Sequence, residues 1–232
     1  MSAVDPKGTF MQNNLLSLFN NVLLPLGAET FRLLPDSLVL GTAVLALVSL
    51  CQSYGVLLLT MVETMVIQRL AAGFIGGIAP ILGAAGSQQM ICQPGFVFGN
   101  SQRISMLETI GKESMFPSPV MFFMATILSY MMSCVNEFRR EIVTLGSDFQ
   151  GRTLTATVLT IGLLIAILAF RYSYQCEGFG TLFVSMLFGA ILGYALVQQN
   201  IGLFGRGGVN ILNIPMITPA NQSAPMYVCA SS

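Results

Sequence analysis

The sequence predicts an all-α membrane protein: a bundle of four transmembrane helices with a fifth candidate span, an N-terminal interfacial helix and a C-terminal extended hairpin tail. Three observations predict it. Charged residues make up only 9% of the 232 residues, where a soluble domain carries about 25%. Apolar residues make up 54%, more than a globule of this size can hide from water. The ten basic and ten acidic side chains are clustered, and the gaps between them approach the roughly 20 apolar residues that span a bilayer.

Residues 1–36 read as an N-terminal arm. Asp5 and Lys7 precede a stretch interrupted by Asn13, Asn14, Asn20 and Asn21, with Pro25 after it. That pattern is not a cleavable leader, and Ser at position 2 excludes myristoylation. Residues 15–35 interleave apolar side chains with Asn and a few charges. They predict an amphipathic helix at the membrane interface, broken at Pro25, or a helix packed on the bundle.

Residues 37–199 read as the bundle. The first span is the uncharged run 37–62, bounded by Asp36 and Glu63. Glu63 and Arg69 then read as a structural pair. The second span covers about 117–135, with Ser118 as cap and Pro119 in the first turn, and its helix should continue through Glu137, Arg140 and Glu141 to Leu145, ahead of Gly146. Glu137 and Arg140 are spaced to pair along it. The third span, 153–170, is bracketed by Arg152 and Arg171, both placed to snorkel to the headgroups. The fourth covers about 181–199 and follows a short link, so spans three and four form an antiparallel hairpin. Leu70 to Gly86 is uncharged but Gly-rich, with Pro80 inside; it reads as re-entrant or as a fifth span.

Four spans put both termini on one side. That side would hold six of the ten basic residues, which favours cytoplasmic termini. Residues 87–116 form an extramembrane loop, in which Ser105 and Glu108 make a capping-box pattern for a short helix. Residues 200–232 form an extramembrane tail. Within it, NILNIPMI and PMYVC read as extended segments around a turn, Asn221 opens a glycosylation sequon, and Arg206 lies in a GRGG run that reads as a flexible exit.

The chemistry is defined by what the spans lack. With no His in the chain, Ser-His-Asp catalysis and His-ligated metals are excluded. The five cysteines form no CxxC pair, so no thiolate metal site is expected. Cys51 and Cys134 read as buried thiols; Cys176 and Cys229 lie outside the apolar runs and are candidates for a disulfide. No catalytic, cofactor or metal site is assigned, and the chain is not expected to be an enzyme. A lipid-active enzyme would have to use Glu63, Glu177 or Cys176, none in a partner motif. Zero net charge gives no steering toward nucleic acid. The expected partners are the lipid bilayer, other proteins and a second copy of the chain. A passive channel or transporter of small neutral solutes is the alternative, with 70–86 as its re-entrant loop.

The fourth span carries a more specific signal. Ser185, Gly189 and Gly193 recur every four residues. Small residues at that spacing let two helix backbones approach closely. The partner would be the third span, through Gly162 or Ala166, or a second protomer.

Residues 178–229, with GFGTLFVSMLFGAILGYALVQQNIGLFGRGGVNILNIPMI and then PMYVC, resemble the C-terminal block of membrane-embedded virion proteins from large icosahedral DNA viruses. The nearest group is the minor capsid and inner-membrane proteins of chlorovirus-type giant viruses. The resemblance implies a structural protein of the viral inner membrane, beneath the capsid, contacting capsid or minor capsid proteins. It also implies that Phe204, Arg206, Asn210, Asn213, Pro215, Pro225 and Tyr227 belong to a docking tail.

Overall fold

A computed structural model describes residues 24–75, 90–98, 102–110, 116–145 and 147–212. The elements are α1 (Leu24–Ser49), α2 (Gln52–Ile75), a 3-10 turn (Met90–Cys92), β1 (Phe96–Phe98), β2 (Gln102–Ile104), α3 (Met106–Ile110), α4 (Pro119–Glu137), α5 (Arg139–Leu145), α6 (Ser147–Ser173) and α7 (Phe179–Gly208). The chain is an all-α membrane bundle. Among the described residues, five helices are long and apolar enough to cross a membrane, and one antiparallel ribbon pairs Phe96 with Ile104.

The predicted first span is two helices. The uncharged run 37–62 breaks at Leu50, whose φ of 51° is left-handed. Ser49 Oγ donates to the Leu45 carbonyl and accepts from Cys51 N at 3.4 Å. Tyr54 N donates to the Cys51 carbonyl at 3.2 Å as α2 begins. α1 and α2 therefore form a hairpin. A left-handed residue ends a helix well, but Gly usually supplies it; with Leu there and no charge nearby, the sequence hides the break.

α1 also runs across the expected boundary at residue 36. Pro25 opens this helix instead of breaking it, as suits a residue with no N–H to lose in the first turn. Pro35 lies inside α1. Among the described residues, the fifth membrane-length helix is thus α1. Leu70 to Ile75 complete α2, and residues 76–86 lie outside the described residues.

Later spans keep their places with longer ends. α4 starts as expected: Met121 N donates to Ser118 Oγ at 3.4 Å, with Pro119 in the first turn. It does not run unbroken to Leu145, because Phe138 (φ −95°, ψ 16°) separates it from α5. α6 extends beyond 153–170 at both ends, and α7 continues past 199 to Gly208, with a non-helical Gly205 (φ 72°). Residues 200–208 are therefore helix rather than tail.

Contacts fix the helix directions. Gln68 of α2 reaches the Pro117 carbonyl before α4, while Ser53 reaches the Gly207 carbonyl at the end of α7. Asp36 of α1 holds the start of α3. One end of the bundle thus collects Asp36, Gln68, Ser118 and Glu177; the other collects Leu50, Ser53, Glu137 and Arg206. Residues 24 and 208 fall at opposite ends, so the six-against-four charge comparison, which needs termini on one side, does not apply.

α4 is the centre. Its Met121, Phe123, Met124, Ala125 and Ile127 are completely buried, with Met65 of α2 and Leu182 of α7 packed on them. Its most extensive interface is with α7. α6 stands outermost: only 6% of its apolar window is buried within the protein.

Candidate functional site: the α4–α7 pair and its two ends

The small-residue face of α7 packs on α4. A Cβ on Gly189 would lie 2.6 Å from the Phe122 carbonyl oxygen and 2.9 Å from Ala125 Cβ. One on Gly193 would collide with the Thr126 carbonyl oxygen and lie 2.9 Å from Ser129 Cβ. Ser185 Oγ accepts from Ser118 N at 2.9 Å, and Ser129 Oγ donates to the Ala190 carbonyl at 2.8 Å. The neighbour expected across the hairpin, α6, is the wrong one, because a methyl group added at Gly162 would meet nothing within 4 Å. Small spacing identifies a face and leaves its partner open.

The middle of the pair is polar and closed. Asn200 Nδ2 donates to Thr60 Oγ1 at 2.8 Å and to Tyr130 Oη at 3.0 Å, and all three residues are buried. Thr60 and Thr64 donate to carbonyls one turn back, at 2.8 and 2.7 Å. The two Asn200 bonds join α7 to α2 and α4, as polar side chains do between membrane helices.

At the first end, Arg171 is buried rather than snorkelling. Its Nε donates to Glu177 Oε2 at 2.8 Å, Nη2 bonds Glu177 Oε1, and Nη1 donates to the Cys92 carbonyl at 3.2 Å. Ser118 Oγ donates to Glu177 Oε1 at 2.9 Å. One carboxylate thus ties the α6–α7 turn to the start of α4. Cys176 forms a disulfide with Cys92, not with Cys229, which lies outside the described residues. Cys51, expected as a free thiol, is also disulfide-bonded; Cys134 is free and buried as expected.

The loop before α3 is docked on this end. Ser105 caps α3 through Glu108 N at 3.3 Å, as the capping pattern predicts. Asp36, 1% exposed, accepts from Met106 N at 2.6 Å, Leu107 N at 3.2 Å and Ser105 Oγ at 3.0 Å. Sequence reasoning used Asp36 only as a span boundary. The available signal was only its place, a lone acid directly before a 26-residue uncharged run.

At the second end, Arg206 is built into the bundle. It bonds Glu137 Oε1 at 3.1 Å and Glu141 Oε1 at 3.0 Å, and its guanidinium lies 5.1 Å from the centre of the Phe138 ring. The GRGG run is therefore the kinked last turn of α7, held by Arg206, and not a free exit. Glu137 pairs with Arg206 in place of Arg140. Glu63 accepts from Gln199 at 2.8 Å, and Arg69 reaches the Ile110 carbonyl at 3.5 Å, so these two do not pair. Of the expected docking tail, Arg206 is engaged internally, Asn210 is buried and Phe204 is 36% exposed. Asn213, Pro215, Asn221, Pro225 and Tyr227 lie outside the described residues.

Fold and contacts together define a membrane bundle locked at both ends, with a closely packed helix pair at its centre. Comparison with protein-family models, curated proteins and solved structures finds no match.

Proposed function

We propose that the chain is a structural membrane protein that ties a bilayer to an overlying protein layer. In the terms of the resemblance over residues 178–229, that layer is a capsid shell or its minor capsid proteins, and the bilayer is a virion inner membrane. The filled bundle axis is the observation that carries the reading. Met65, Thr64, Phe123, Met124, Thr126 and Ile127 are fully buried there, and Asn200 is bonded to both neighbouring helices. A solute path along the axis would require those side chains to move. Arg171, Glu177 and Cys176, the groups nearest to chemistry, are held by each other and by Cys92. A locked multi-helix anchor suits a permanent tie, because insertion of several helices is effectively irreversible.

The test is particle composition with crosslinking. Purified virions of the source should contain the protein in many copies, crosslinked to shell proteins through extramembrane segments. Absence from particles overturns the virion reading. Solute-specific flux in liposomes, abolished by substitutions within 70–86, favours the channel alternative and overturns the structural one.

A further inference from the structure

A groove of about 830 Å³ opens between α4 and α6, lined by Met132, Ser133, Asn136, Arg139, Leu154 and Thr157, among others. It meets a second hollow of about 1020 Å³, which shares Asn136, Arg139 and Val143 and adds Arg140 and Arg206. The upper part of the groove is apolar with hydroxyl edges. Its mouth is cationic.

The balance of charge at that mouth is specific. Among the described residues that line it, three guanidinium groups (Arg139, Arg140, Arg206) face two carboxylates (Glu137, Glu141). Arg206 takes both carboxylates. Arg139 and Arg140 are exposed, and among the described residues neither shares an ion pair with the carboxylates beside it. The mouth lies at the Arg206 end of α4, where a membrane-length helix meets the headgroup layer. The groove wall is α6, the helix with least burial inside the protein, so the groove opens sideways toward acyl chains.

The geometry points to a bound anionic phospholipid, its phosphate at Arg139 and Arg140 and one acyl chain lying against Met132 and Leu154. A second copy of the chain fits less well. A two-fold contact through this groove would bring two cationic mouths into one interface, and like charges there are disfavoured. A neutral headgroup would leave both guanidinium groups uncompensated.

The full chain in detergent can be offered phosphatidylglycerol or phosphatidylcholine with identical acyl chains, and adducts counted by native mass spectrometry. Preference for phosphatidylglycerol should be about fivefold per arginine. The double variant R139Q/R140Q should lose that preference while keeping its circular dichroism spectrum. Filling the groove with Thr157→Leu should reduce retention of both lipids, and free inorganic phosphate should not compete. Equal retention of the two lipids, or an undiminished preference in R139Q/R140Q, overturns the proposal. So does a dimer peak that carries no lipid.

Discussion

Gly193 of α7 lies against Thr126 of α4 so closely that a single methyl group at position 193 would overlap the Thr126 carbonyl oxygen. The obstacle is backbone at the centre of the most buried helix, so it cannot swing aside as a long side chain would. The contact between these two residues therefore sets the spacing of α4 and α7, and with it the positions of Ser118 and Ser185 above and Tyr130 and Asn200 below.

Gly193→Ala should destabilise the bundle by about 1–3 kcal/mol, the usual cost of overpacking. Gly162→Ala on α6, which has open space around it, should change stability by less than about 0.5 kcal/mol. Unfolding of both variants in mixed micelles measures the difference. Equal effects would show that α6, and not α4, receives the small-residue face.

Arg171→Met should be among the most damaging single substitutions. It strands the buried Glu177 carboxylate, and breaking a buried pair costs about 3–5 kcal/mol. The double variant R171M/E177M removes both charges and should recover much of that loss. If the double variant is no better than R171M, the pair matters for its bonds to Ser118 and Cys92 more than for its charge balance.

Cys92→Ala should expose one new thiol, at Cys176. Maleimide labelling under denaturing, non-reducing conditions with peptide mapping identifies it. Stability should fall by about 2–4 kcal/mol, and the segment between α2 and α3 should be cut sooner in limited proteolysis. A native Cys176 that already reacts with maleimide in the denatured, unreduced protein would refute the pairing.

Legibility of this fold followed charge and capping. The span within α6 was readable because Arg152 and Arg171 bracket it, and the start of α4 because Ser118 and Pro119 suit a first turn. The α1–α2 hairpin was not, since its break rests on Leu50 in a conformation that local sequence disfavours. Exposure is the usual state of a charged side chain, yet Asp36, Arg171 and Glu141 are buried, with partners far along the chain or across a turn. Those partners depend on tertiary packing. A spacing rule such as the Glu137–Arg140 pair cannot anticipate that Arg206 arrives first.

Asn200 provides the sharpest test of the closed axis, since it bonds Thr60 of α2 and Tyr130 of α4 at once. Tyr130→Phe removes one of those bonds and leaves the other, so its cost should be small. Asn200→Leu, close in volume, removes both, although Thr60 keeps its own bond to the Val56 carbonyl. A double-mutant cycle between Asn200 and Tyr130 should give a coupling of about 0.6 kcal/mol and no more than about 2 kcal/mol, the range for hydrogen bonds between membrane helices. Coupling indistinguishable from zero would mean that the two side chains do not share a bond, and that the centre of the bundle is held by packing on Phe123 and Met124 alone. Coupling accompanied by solute leakage in Asn200→Leu liposomes would instead place Asn200 as a plug in a path along the axis.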